Sequence, residues 1–98
     1  MSDINNVISE SDVFTYLGID YADDMVKANV ARAINTAGGE LTESVGENYP
    51  VDHPLTKELA LLYASISYEN RDFSTNEEKR ANNIALKLRL VLRRGSNE

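Results

Sequence analysis

The stretch Leu59–Phe73, reading LALLYASISYENRDF, constrains the fold more than any other part of the chain. Projected at about 100° per residue, Leu55, Leu59, Leu62, Tyr63 and Ile66 form one apolar face, and Ala60, Leu61, Ala64 and Tyr68 form a second face opposite. A helix that is apolar on both sides has to be covered on both sides, which places it at the centre of a helical domain. It runs directly into the polar tetrad Tyr68-Glu69-Asn70-Arg71, where helix and apolar pattern stop together.

The chain has 98 residues, enough for one domain with a single core and too few for two. We therefore expect one domain over 1–98 with an ordered core from about residue 9 to 94. The absence of cysteine rules out disulfide staples and thiolate metal sites, so stability has to come from packing or from oligomerisation. No apolar run approaches the roughly 18 residues that a membrane span needs. The polar start Met1-Ser2-Asp3-Ile4-Asn5-Asn6 lacks the basic and apolar segments of a signal peptide, so a soluble cytoplasmic chain is expected.

Turn and cap residues divide the chain into four helices. Ser9 with Asp12 three residues later has the spacing of a capping box, with Ile8 and Val13 placed as its hydrophobic staple. The first helix then runs to about Leu17, where Gly18 supplies a left-handed stop and Ile19 folds back as the apolar member of a Schellman motif. The second is long, from about Ala22 to Val45, with Val26, Val30, Ala33, Ile34, Ala37 and Leu41 on one stripe. Gly38-Gly39 within it predicts a kink or a close approach by another helix.

Pro54 suits the first turn of the central helix, with Asp52 or His53 at its cap. At its end Tyr68 is expected to bury its ring and partner its hydroxyl. Glu69 and Arg71 stand two apart and do not face each other on a helix, so Arg71 calls for a partner elsewhere. Ser74 and Glu77 form a second capping box, opening a helix from about Thr75 to Arg94 whose inward stripe is Ala81, Ile84, Ala85, Leu88, Val91 and Leu92. Leu86 and Leu90 fall on the opposite side, among Asn82, Asn83 and Arg93, which points to contact with another subunit. An edge strand over Leu86–Leu90 is the alternative, from its period-two alternation. It is disfavoured by the helix-forming residues around it and the lack of a partner strand. The fold class is thus all-α: a compact four-helix domain with a long second helix and a central third.

Several of these segments, in this order, resemble the small head-tail connector family of tailed phages. The run Tyr16-Leu17-Gly18-Ile19-Asp20-Tyr21-Ala22-Asp23-Asp24 is similar to that family's passage from first to second helix. Leu41–Gly46 is similar to its second-helix ending, with Val45 where an aromatic is common. His53-Pro54-Leu55 through Arg71 looks like its proline-started third helix closing on Tyr-Glu-Asn-Arg. The resemblance spans most of residues 10–73; the last helix is shared only in kind. It implies a structural adaptor of a phage or prophage rather than an enzyme. In that role subunits form a ring with the portal's twelvefold symmetry at the head-tail junction, binding portal above and tail or stopper protein below. DNA passes through without sequence-specific contact. Tyr68, Glu69, Asn70, Arg71, Leu86 and Leu90 are the candidate structural and interface residues.

The chemistry of the side chains bears on the alternatives. No nucleophile and base constellation is readable, and the sole histidine, His53, has no orienting carboxylate assigned, so no catalytic residue and no cofactor are expected. Asp20, Asp23 and Asp24 invite a metal reading, but they lack further ligands and the alternating spacing of a calcium loop; they fit the start of the second helix, where the macrodipole favours carboxylates. The net charge of −6 is uneven: residues 1–52 carry −8 and residues 53–98 carry +2. An acidic half disfavours nonspecific duplex binding and could dock on the basic half of an identical neighbour. The competing function is a small helical nucleic-acid-binding regulator using Lys79, Arg80, Lys87, Arg89, Arg93 and Arg94, although these scatter around the helix instead of forming one strip.

Overall fold

The computed structural model describes residues 2–96, with side chains described through residue 94. Four helices follow a short 3-10 turn at Ile4–Asn6: α1 (Glu10–Leu17), α2 (Asp24–Ser44), α3 (Pro54–Glu69) and α4 (Thr75–Ser96), and no strand occurs among the described residues. The Leu86–Leu90 alternation therefore belongs to a helix. Each boundary has a local cause. The Ser9 hydroxyl accepts the Asp12 N–H at 3.1 Å while the Asp12 carboxylate accepts the Ser9 N–H at 2.9 Å, closing the predicted capping box. Gly18, at φ 72°, ends α1 in a Schellman turn in which Ile19 N–H reaches the Phe14 carbonyl. Asp23 caps α2 by accepting the Val26 N–H, so the helix starts two residues later than its pattern predicts. His53 Nδ1 accepts the Leu55 N–H ahead of Pro54, which makes the histidine a cap.

Helix α3 is the pillar. It packs against α1, α2 and α4, most extensively against α2, whereas α4 leans mainly on α3. Leu59, Leu62 and Tyr63 on one face and Ala60 and Ala64 on the other are all buried, as two-sided amphipathicity requires. α2 contributes Val30, Ala33, Ile34, Ala37 and Leu41, and α4 contributes Ala81, Ile84, Ala85 and Leu88. The resulting body measures 47 × 28 × 18 Å. Val91, assigned to the inward stripe by its spacing, is instead 37 % exposed. It stands about two turns beyond Ile84, at the edge of the buried stripe, and there it lines an open cleft with Gly46, Glu47 and Asn48.

The core also begins earlier than the helical pattern indicates. Ile4, Val7 and Ile8 are buried, and the segment before α1 lies across α2 as a strap. Ser2 ties it down, donating its N–H to the Glu47 carbonyl at 2.8 Å and its hydroxyl to the Tyr49 carbonyl at 2.6 Å. This strap accounts for Gly38. α2 continues unbroken through both glycines, and a Cβ on Gly38 would lie 3.0 Å from Ile4 Cβ, while one on Gly39 would meet nothing within 4 Å. The close approach is made by a 3-10 turn, and the helix is not broken.

Candidate functional site

The tetrad closing α3 is a backbone terminus joined to a charged clamp. Asn70 adopts the left-handed conformation at φ 51°, ψ 51°, which asparagine tolerates better than other side-chain-bearing residues. Its N–H reaches the Ser67 carbonyl and the Arg71 N–H reaches the Ile66 carbonyl, so a Schellman turn satisfies the last carbonyls of the helix. Leaving the helical path at Asn70 also swings Arg71 out of register. Its guanidinium then spans the turn: Nη1 and Nη2 donate to the two Glu77 oxygens at 2.6 and 2.9 Å, and Nε donates to Glu69 at 3.2 Å. The partner elsewhere exists, in the first turn of α4. The Glu69 pair forms as well, because helical spacing no longer applies beyond Asn70.

Glu77 is where the clamp and the helix cap meet. Its Oε1 also accepts the Ser74 N–H at 3.0 Å, and its own N–H donates to the Ser74 hydroxyl at 3.2 Å. Arg71, with help from the Ser74 N–H, lowers the Glu77 pKa from 4.5 to about 2, and Glu77 in turn raises that of Arg71. The ionised carboxylate favours the folded state, so this contribution is complete above pH 4.5 and fades as pH falls toward 2. Glu77→Gln keeps the cap geometry and removes the charge. Thermal melts of the variant are expected to vary less with pH between 4.5 and 2 than those of the wild type, whereas parallel curves would show that the clamp adds nothing.

Around this clamp the chain folds back on its pillar. Phe73 meets Tyr63 edge to face, with ring centroids 5.9 Å apart and planes at 72°. A shallow cleft of about 240 Å³ lies beside the turn, lined by Arg32, Thr36, Glu40, Tyr63, Asn70 and Arg71. Tyr68 is half-buried, not enclosed, and its hydroxyl has no hydrogen-bond partner among the described residues. It sits on the last turn of α3, where α4 has not yet begun to cover that side. A second tie joins the same helices farther along, between Arg80 and Glu58.

The other candidates lie apart from the tetrad. Leu86 and Leu90 are 51 % and 42 % exposed on the outer side of α4. Asp20, Asp23 and Asp24 are exposed at the α1–α2 corner, where Asp23 is engaged as a cap, and no group of His, Asp or Glu among the described residues is arranged to hold a metal ion. The sequence reading missed Tyr21 and Met25 at this corner, which at 81 % and 73 % are the most exposed of the large hydrophobic side chains. Their four-residue spacing amid three aspartates was the available signal. No helix is long and apolar enough to cross a membrane among the described residues. No protein-family model matches the chain, and searches of curated proteins and of solved structures return no match.

Proposed function

We propose that this chain is a structural head-tail connector of a tailed phage or prophage, a ring-building adaptor between portal and tail through which DNA passes. The observation that carries the reading is the ordered set of segments from Tyr16-Leu17-Gly18-Ile19-Asp20 to His53-Pro54-Leu55 and Tyr68-Glu69-Asn70-Arg71. The arrangement of the helices is compatible with it. The tetrad ends a central α3 and clamps it to α4, which is work inside a subunit, while exposed apolar side chains on α4 and at the α1–α2 corner remain for neighbours. A net charge of −6 suits a conduit that has to let DNA slide, because cationic contacts to phosphate would hold it.

The regulator reading makes the opposite demand on the basic residues of α4. A gel-shift titration of the isolated protein with duplex DNA at low salt separates the two. The connector is expected to give no shift at concentrations where a regulator binds; a complex that dissolves steeply as salt rises would overturn the connector reading.

A further inference from the structure

Two exposed apolar pairs on this molecule carry opposite charge. On the outer side of α4, Leu86 and Leu90 stand one turn apart, flanked by Lys79 and Arg89, and from Lys79 to Arg94 the helix contains no acid. At the α1–α2 corner, Tyr21 and Met25 each directly follow an aspartate, Asp20 and Asp24. Among the described residues, Lys79 and Arg89 form no ion pair within the chain, and neither do Asp20 and Asp24. Each patch therefore joins uncovered apolar area to unspent charge.

We infer that the outer face of α4 docks on the α1–α2 corner of a second copy of this chain, with Leu86 and Leu90 against Tyr21 and Met25. The signs of charge select this pairing. Setting α4 on α4 would oppose Lys79 and Arg89 to their own counterparts, and setting corner on corner would oppose aspartates to aspartates; like charges brought together at an interface are costly. Only the head-to-tail contact brings bases to acids and apolar side chains to apolar side chains. Such a contact joins two different surfaces, so each subunit keeps one free surface of each kind, and addition continues until a ring closes or a filament grows. The inference rests on the ring reading above and names the surfaces that meet.

The test uses two variants, each losing one surface: Leu86→Ser/Leu90→Ser on α4 and Tyr21→Ser/Met25→Ser at the corner. Both pairs are exposed, and circular dichroism melts confirm that each variant is folded before use. By sedimentation and mass-resolved detection, the wild type is expected to associate with rising concentration and each variant to stay monomeric. An equimolar mixture is expected to give a 1:1 dimer and nothing larger, because the one intact surface of each kind is then consumed. A charge-reversed set needs no apolar change: Lys79→Glu/Arg89→Glu and Asp20→Lys/Asp24→Lys are each expected to be monomeric alone and to co-assemble when mixed. Association of the corner variant like the wild type, a mixture without the 1:1 species, or a wild type that never associates would each overturn the pairing. The ring reading fails separately. Open filaments in the wild type, with the 1:1 dimer in the mixture, would keep the pairing and discard the ring; closed rings in either apolar variant alone would do the reverse.

Discussion

Leu59→Ala is expected to destabilise the fold by about 2–5 kcal/mol, the range for emptying a well-packed leucine site. Leu59 is fully buried on α3, which packs against each of the other three helices. A cavity there cannot collapse by moving one neighbour, because α2 is held on one side of the pillar and α4 is clamped to it through Arg71 and Glu77. For a domain whose total stability is roughly 5–15 kcal/mol, the loss is a large share. A fall in melting temperature of about 10–30 °C should follow. Leu86→Ser, also a leucine truncation but on an exposed site, should leave the melt within a few degrees of wild type. Similar melts for the two variants would mean that α3 is not the centre of the core.

Adjacent glycines provide the second large contrast. Gly38→Leu has to displace Ile4, whose Cβ would lie 3.0 Å from the new Cβ, so overpacking should cost about 1–3 kcal/mol. The strap is the part able to give way, since Ile4 is held by a three-residue turn and the two Ser2 hydrogen bonds. Amide exchange at Val7 and Ile8 should therefore quicken while exchange in the middle of α3 changes less. Gly39→Ala faces open space within a helix and should stabilise by about 0.5–1 kcal/mol. Equal effects at the two positions would show that the strap does not lie on α2 as described.

Residues with a repeating pattern or a short-range partner were legible from sequence. The capping boxes at Ser9 and Ser74, the Gly18 stop, the two buried faces of α3 and the outward position of Leu86 and Leu90 all follow from spacing alone. What escaped was held by contacts distant in sequence or by a change of backbone path. Ile4 and Val7 lie outside any helical repeat, and they join the core only because the strap crosses α2, with Ile4 against Gly38. The Arg71–Glu77 pairing crosses a turn whose left-handed residue resets the register, so helix spacing could demand a partner without naming it. Val91 fits the wheel of α4 but stays 37 % exposed beside an open cleft, since a wheel records the direction of a side chain and not how far a neighbour covers it.

The tetrad accordingly reads as the end of the pillar and its tie to α4, and the exposed apolar pairs lie elsewhere. Assembly is the property on which the proposed function turns. Negative-stain microscopy of the purified wild-type protein over a range of concentrations, with particle mass measured on the same samples, tests it most directly. The account predicts closed rings of one size, with an open centre, that become more abundant as concentration rises. A protein that stays monomeric throughout and binds duplex DNA at low salt would contradict it.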